Sequence, residues 1–115
     1  MKFALLGYGK MGKAIEQIAL ERGHEIVCKI DINLAEGNLE GADAAINFSI
    51  PNAAVDNITS ALHQSVPVVC GTTGWLDAFP QVTQTAIENN TAFLYASNFS
   101  VGVNLFFKLN KILAQ

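Results

Sequence analysis

The 115-residue sequence has little of what marks membrane, secreted or nucleic-acid-binding proteins. It lacks the run of about 18 apolar residues that a membrane-spanning helix needs. After Lys2, only four apolar residues precede the first glycine, which is too few for a secretory signal. Acidic residues outnumber basic ones and give a net charge of −3, so no attraction to nucleic acid is expected. We therefore expect no membrane span, no nucleic-acid partner and a cytoplasmic location.

Cysteine and histidine are scarce, with two of each. Cys28 and Cys70 fall in predicted strands without metal-ligand spacing, which indicates small buried side chains rather than a disulfide. His24 and His63 have no clustered cysteine or acid nearby, so no metal site and no catalytic residue is predicted. What is abundant is apolar sequence: 50% of the residues are hydrophobic and 15% charged, as in one globular domain with a core.

Residues 7–12, GYGKMG, match the G-x-G-x-x-G pattern of dinucleotide-binding loops. The pattern alone is weak, but here an apolar run precedes it and residues 10–22 carry apolar side chains at helical spacing. In that setting Gly7 permits the tight turn after a strand, Gly9 leaves room for a pyrophosphate, and Gly12 lets the helix pack closely. The helix N-terminus then presents N–H groups and a positive dipole end to the phosphates.

Asp31 supplies the second part of this pattern. It ends the apolar run at residues 26–30 and lies 19 residues after Gly12, near the spacing of about 20 for a ribose-binding acid. A carboxylate accepts hydrogen bonds from a free ribose hydroxyl but repels a 2′-phosphate. We therefore predict NADH as the preferred cofactor, with NADPH possible because Lys29, on the same side of the strand, partly offsets the repulsion. The alternative is a structural glycine turn beside a solvated acid.

The rest of the chain alternates strand-like and helix-like segments. Residues 32–42 are rich in Asn and Gly and are barely long enough for a crossover between parallel strands, so a loop or a single turn is predicted. Pro51 suits the first turn of a helix. The predicted strands are residues 2–6, 25–30, 43–48, 66–70 and 91–95. The predicted helices are residues 10–22, 78–88 and 103–113, with a further helix that Pro51 begins.

This alternation predicts an α/β fold with a doubly wound, mostly parallel sheet of the Rossmann type. Ligands of such sheets bind beyond the carboxyl ends of the strands. The loops predicted there are residues 7–12, Asp31 and residues 48–51, 71–74 and 96–100. The 71–74 loop, GTTG, offers a close backbone approach and two hydroxyls suited to a ribose or a carboxamide. Taken singly, each loop is equally explained as a turn with capping polar groups.

Four landmarks, in order, resemble the 4-hydroxy-tetrahydrodipicolinate (dihydrodipicolinate) reductases of bacterial lysine biosynthesis. They are GYGKMGK at residues 7–13, NFSIP at 47–51, GTTG at 71–74 and ASNFSVGVN at 96–104. Asn47 stands where that family commonly has Asp. The first landmark is shared by many dehydrogenases, whereas the last two together are specific, and the resemblance runs essentially end to end.

The resemblance implies hydride transfer from a reduced nicotinamide to an unsaturated ring dicarboxylate, with tetrahydrodipicolinate as the product. The implied pyrophosphate-binding residues are Gly7, Gly9, Lys10, Met11 and Gly12. Tyr8 of the same loop is a further cofactor-binding residue, and Asp31 is implied to hold the adenosine ribose. The implied lining of the nicotinamide end is Gly71, Thr72, Thr73, Ala96, Ser97, Asn98 and Phe99.

The substrate-domain motifs of that family, a His-His pair with a following Lys and an Asp-Ala-Pro-Ser-Gly-Thr stretch, do not occur in this sequence. We expect residues 1–101 to form the dinucleotide-binding domain and residues 102–115 to begin a helix that leads into an absent substrate and oligomerisation domain. The chain alone should then bind dinucleotide without turning over substrate. For the full-length enzyme a homo-oligomer is expected, since tetramers are usual in the resembled family.

Three other functions stay open on the sequence. One is another amino-acid-pathway dehydrogenase, such as one resembling homoserine or aspartate dehydrogenase, which shares the glycine loop and acid but not the later landmarks. A second is a non-catalytic dinucleotide sensor, which the absence of catalytic motifs permits. A third is a methyltransferase, which also uses a glycine loop and a strand-end acid, there to hold an adenosyl cofactor.

Overall fold

The computed structural model describes residues 1–95. The strands are β1 Lys2–Leu6, β2 Glu25–Asp31, β3 Leu34–Gly37, β4 Ala44–Asn47, β5 Val68–Cys70 and β6 Phe93–Tyr95. The helices are α1 Lys10–Glu21, α2 Pro51–His63 and α3 Phe79–Glu88, and a 3-10 turn at Leu76–Ala78 leads into α3. The helix predicted at residues 103–113 and the domain boundary after residue 101 lie outside the described residues.

The six strands form one sheet in the order β3-β2-β1-β4-β5-β6. Every neighbouring pair is parallel except β2 with β3, which is antiparallel. Helices follow β1, β4 and β5, as crossovers between parallel strands require. The prediction of a doubly wound, mostly parallel α/β sheet is therefore confirmed.

Both faces of the sheet are covered, which is why β1 is apolar along nearly its whole length. Successive side chains of a strand point to opposite faces. Phe3 and Leu5 pack into one buried cluster with Ile15 and Ala19 of α1. Ala4 and Leu6 belong to the opposite cluster, with residues of α2 and α3 that include Ile58, Leu62 and Val82. The prediction that Cys28 and Cys70 are buried is confirmed, and both thiols are free.

The segment after Asp31 differs from the prediction of a loop or single turn. Residues 34–37 form β3, which pairs antiparallel with β2 from Asp31 opposite Leu34 to Cys28 opposite Gly37. Ile32 and Asn33 are thus the two-residue connection of a hairpin. Residues 32–42 are too few for a helical crossover, but a hairpin needs no crossover. These eleven residues are therefore enough for an edge strand and a return to β4.

The strand order places the loops of interest together. From β1 the chain moves to β2 on one side, and it later returns to add β4 on the other side of β1. The connections after β1 and β4 consequently diverge, and such a switch point leaves a crevice at the carboxyl ends of the strands. The loops that begin at Gly7, Ile32, Phe48 and Gly71 all leave strands at that edge.

Candidate functional site at the carboxyl edge of the sheet

The three glycines of the Gly-rich loop (residues 7–12) occupy three different environments. Gly7 has φ +105°, and a Cβ there would overlap the backbone carbonyl of Phe48. A Cβ on Gly12 would overlap the carbonyl of Gly7, so the first turn of α1 lies directly against the loop. A Cβ on Gly9 would meet nothing within 4 Å. Packing within the described chain thus accounts for Gly7 and Gly12, while Gly9 faces open space.

The N-terminus of α1 is electrostatically suited to an anion. Its N-cap, Gly9, has no side chain to cap the helix, and the first turn contains no acidic residue. Lys10 and Lys13, at the start of α1, are both exposed. The backbone N–H groups of the first turn and the positive end of the helix dipole therefore face the crevice without a competing carboxylate on that turn.

Asp31 is tied to the Gly-rich loop by its own carboxylate. Oδ2 accepts a hydrogen bond from the backbone N–H of Tyr8 at 3.0 Å, and Oδ1 accepts one from the N–H of Ile32 at 2.8 Å. Each carboxylate oxygen retains a further acceptor position. The acid that sequence spacing assigned to the ribose is thus oriented by the loop and can accept hydrogen bonds from a diol.

Tyr8 of this loop forms a cluster with Glu16 of α1 and Lys29 of β2. The Tyr8 hydroxyl donates to Glu16 Oε1 at 2.5 Å, Lys29 Nζ lies 2.6 Å from Glu16 Oε2, and the Lys29 ammonium lies 4.9 Å from the Tyr8 ring centroid. The hydrogen bond from Lys29, and then that from Tyr8, lower the pKa of Glu16. The hydrogen bond to Glu16 raises the pKa of Lys29. The charge of Lys29 is therefore already paired, which weakens its expected role opposite a 2′-phosphate.

Two adjoining clefts surround Asp31. The wider one, about 430 Å³, is lined by Tyr8, Lys13, Asp31, Ile32, Asn33 and Leu34. The narrower one, about 90 Å³, is lined by Ile30, Asp31, Ile32, Ser49, Ile50, Ala53 and Asn57. Sequence reasoning missed this apolar wall. The sequence did contain a signal for it: an isoleucine directly follows the strand-end acid Asp31, and another directly precedes the helix-opening Pro51, although such loop positions are normally polar. Ile32 is 73% exposed.

The 71–74 loop is packed more tightly than the sequence suggested. A Cβ on Gly71 would overlap the ring of Phe48, so this glycine makes room for an aromatic side chain of the chain itself. Thr72 is 6% exposed, and its hydroxyl donates to the backbone carbonyl of Ser49 at 3.0 Å. Thr73 is exposed. Of the two threonines predicted to face a ligand, Thr73 is exposed, whereas Thr72 is buried and its hydroxyl points inward.

The structure brings the predicted residues of the Gly-rich loop, Asp31 and the 71–74 loop to one edge of the sheet. The predicted site residues Ala96, Ser97, Asn98 and Phe99 lie outside the described residues. Within residues 1–95, His, Cys, Asp and Glu side chains nowhere cluster in a set of three that would hold a metal ion. Over the same residues, every helix is too short or too polar to cross a membrane.

Comparison with known proteins decides the family. A family model described as "Dihydrodipicolinate reductase, N-terminus" matches residues 1–99. The chain belongs to this reductase family. A 4-hydroxy-tetrahydrodipicolinate reductase from Christiangramia forsetii is 49% identical over 116 aligned residues, which cover 99% of this chain and 48% of that protein. The chain thus spans about half the length of this curated dihydrodipicolinate reductase.

Solved structures with the same fold extend beyond dihydrodipicolinate reductases. A putative homoserine dehydrogenase from Archaeoglobus fulgidus has a TM-score of 0.70 at 17% identity and covers 83% of this chain and 42% of its own. A hyperthermophilic archaeal homoserine dehydrogenase in complex with NADPH has a TM-score of 0.66 at 15% identity, over 84% of this chain and 43% of its own. At these identities the likeness concerns the Rossmann-type fold alone.

Proposed function

We propose that this chain is the NAD(P)H-binding part of a 4-hydroxy-tetrahydrodipicolinate reductase, which transfers hydride to an unsaturated ring dicarboxylate in lysine (diaminopimelate) biosynthesis. Support comes from the family match over residues 1–99 and from the crevice at the carboxyl edge of the sheet. The substrate, a homo-oligomeric assembly and a cytoplasmic location are proposals for the complete enzyme. No catalytic residue is assigned within this chain.

The single observation that carries the proposal is the open environment of Gly9 at the N-terminus of α1, which no side chain caps. The first and third glycines of the loop are explained by contacts within the chain, but Gly9 has open space where its Cβ would be. A pyrophosphate lying over Gly9 would meet the N–H groups and positive dipole end of α1. In this arrangement the loop backbone binds the phosphates, and Lys10 and Lys13 supply positive charge at the start of the helix.

The adenosine half then extends toward β2. Asp31 accepts hydrogen bonds from the ribose hydroxyls, and the isoleucines of the narrow cleft form an apolar wall for the adenine. The other half of the dinucleotide extends toward the 71–74 loop, where Thr73 and the backbone of Gly71 and Thr72, together with residues 96–99, line the nicotinamide. The chain's own contribution is binding and orientation, and the nicotinamide supplies the hydride.

We propose a preference for NADH over NADPH. Asp31 would lie next to a 2′-phosphate. Two like charges in such close contact repel each other by roughly 1 kcal/mol when water screens them and by several kcal/mol when it does not. Lys29 is paired with Glu16 and offers little compensation. Lys13, which lines the wider cleft with Asp31, is the cation that would keep NADPH binding measurable.

Calorimetric titration of the 115-residue chain with NADH and NADPH tests the proposal, beside Asp31→Asn and Asp31→Ala. Asparagine keeps one oxygen that can accept from the Tyr8 N–H, so this variant removes the charge and retains the loop contact, but its amide nitrogen cannot accept from the Ile32 N–H. We expect NADH to bind more tightly than NADPH. Asp31→Asn should reduce the ratio of NADH affinity to NADPH affinity, and Asp31→Ala should weaken NADH binding, because alanine also removes the acceptor for the ribose hydroxyls and the contact with the Tyr8 N–H.

The same chain is assayed for NADH oxidation with 4-hydroxy-tetrahydrodipicolinate, and no turnover is expected. Turnover by the chain alone would contradict the assignment of catalysis to residues outside it. Binding of S-adenosylmethionine without NADH or NADPH would favour a methyltransferase. Tighter binding of NADPH than of NADH would overturn the cofactor preference and leave the dinucleotide site intact.

A further inference from the structure

Asn47, at the carboxyl end of β4, is a completely buried polar residue, with 0% of its surface exposed. Its amide Nδ2 donates to the Thr72 hydroxyl at 3.1 Å and approaches Cys70 Sγ at 3.4 Å. Its Oδ1 accepts a hydrogen bond from the Ser49 hydroxyl at 3.0 Å. A side chain that donates to one loop and accepts from another has both ends of its amide engaged.

These contacts close a ring of hydrogen bonds between the two loops. The Thr72 hydroxyl, which accepts from Asn47, itself donates to the Ser49 carbonyl at 3.0 Å. The indole Nε1 of Trp75 donates to the Thr72 carbonyl at 2.5 Å and so fixes the far side of the 71–74 loop. Asn47, Ser49 and Thr72 therefore hold the loop after β4 and the loop after β5 in one relative position.

The ring consists of neutral groups, and two of its members, Asn47 and Thr72, are buried where an unpaired polar atom is costly. An apolar side chain at position 47 would leave the Ser49 and Thr72 hydroxyls each without the amide partner. An aspartate would keep the acceptor for Ser49 and could accept from Thr72 through its second oxygen, but the single proton of the Thr72 hydroxyl would then leave the Ser49 carbonyl. Aspartate is still the more conservative replacement and leucine, of similar size, the disruptive one.

We propose that Asn47 is a positioning residue that holds the 71–74 loop in the conformation that receives the nicotinamide half of the dinucleotide. Being buried, it acts through Thr72 and Ser49 without touching the cofactor. The inference rests on the proposed function, because it requires the 71–74 loop to line the nicotinamide. It assigns a purpose to the NFSIP and GTTG segments together: the first supplies the side chains that hold the second.

The test compares the affinity of the 115-residue chain for NADH with its affinity for ADP-ribose, which has the adenosine and pyrophosphate but no nicotinamide. The variants are Asn47→Leu, Asn47→Asp and, as a matched control, Asn38→Leu, which makes the same exchange at an exposed position. Calorimetry gives both affinities, and thermal unfolding gives the stability of each variant. If Asn47→Leu does not fold, Ser49→Ala replaces it. Ser49 is half-buried, so this variant removes one hydrogen bond of the ring with a smaller loss of stability.

We expect Asn47→Leu to lower the ratio of NADH affinity to ADP-ribose affinity at least fivefold while ADP-ribose binding stays within twofold of the original chain. Asn47→Asp should restore most of that ratio, and Asn38→Leu should leave it unchanged. An equal loss of both ligands would make Asn47 a general stability residue and overturn the inference, as would equal NADH and ADP-ribose affinities in the unaltered chain. Failure of the unaltered chain to bind either ligand would instead overturn the proposed function.

Discussion

In the Gly-rich loop, a Cβ on Gly9 would meet nothing within 4 Å, whereas in the 71–74 loop a Cβ on Gly71 would overlap the ring of Phe48. Both loops leave parallel strands at the same edge of the sheet, and both were predicted to use glycine for close approach of a ligand. The comparison separates two uses of the residue. Gly9 leaves space outside the chain, and Gly71 leaves space for a side chain within it.

The two loops are also held by different forces. The Gly-rich loop is tied to β2 and α1 through ionised groups: the carboxylates of Asp31 and Glu16, and the ammonium of Lys29. The 71–74 loop is tied through neutral amide, hydroxyl, carbonyl and indole groups. Substitution, ligand and pH should therefore affect the two loops differently.

The largest expected effect is that of Gly7→Ala on stability. Alanine would be strained at φ +105° and would also overlap the backbone of Phe48. Together these should lower the free energy of unfolding by about 3 kcal/mol. Gly23→Ala is the control, because Gly23 has φ +83° but nothing within 4 Å of its Cβ position, so only the strain of about 1 kcal/mol applies. Urea unfolding measures both, and equal losses would mean that the contact with Phe48 does not matter.

Gly71→Ala should destabilise less than Gly7→Ala, by about 2 kcal/mol, because the added methyl meets a side chain that can shift instead of backbone. Gly9→Ala is its counterpart at an open position with negative φ, and its unfolding free energy should change by less than about 1 kcal/mol. Urea unfolding of the two variants side by side measures the contrast. A loss at Gly9 as large as that at Gly71 would remove the distinction between the loops.

Glu16→Gln should have a smaller, pH-dependent effect confined to the Gly-rich loop. Because the pKa of Glu16 is lowered by its hydrogen bonds from Lys29 and Tyr8, its contribution to stability is complete above its usual pKa of 4.5 and is lost as the pH falls through the lowered value. At pH 7 the variant should be less stable by about 1 kcal/mol, as is usual for a partly exposed ion pair.

The control for this prediction is Glu40→Gln, which alters an exposed carboxylate outside the site. Urea unfolding at pH 7 and pH 3 should show the gap between Glu16→Gln and the original chain shrinking at pH 3. A gap that is the same at both pH values would show that the carboxylate charge of Glu16 contributes nothing.

Much of the fold could be predicted because the local signals agreed with the tertiary structure. β1 spans residues 2–6, as predicted, and α1 and β2 end within one residue of the prediction. The hairpin strand β3 could not be found this way. Of its four residues, LAEG, one is partly buried and three are exposed, so no alternating apolar pattern marks them. They form a strand only because they pair with β2.

The location of the candidate site was predictable, and its internal packing was not. Chain order and parallel topology were enough to bring Gly9, Asp31 and the 71–74 loop to one edge. The inward turn of the Thr72 hydroxyl depends on Asn47 and Ser49, which are 25 and 23 residues away along the chain. The ion pair between Lys29 and Glu16 likewise joins a strand to a helix. The residues adjacent to them in the sequence give no signal of such a contact.

The central claim is that a dinucleotide pyrophosphate binds in the space beside Gly9. Calorimetric titration of NADH into the original chain and into Gly9→Ala tests this claim most directly. The account predicts saturable binding to the original chain and at least a tenfold weaker affinity for the variant, about 1.4 kcal/mol, with little change in stability. Equal affinity of both chains for NADH would contradict it, because a methyl group on residue 9 would obstruct a phosphate bound there.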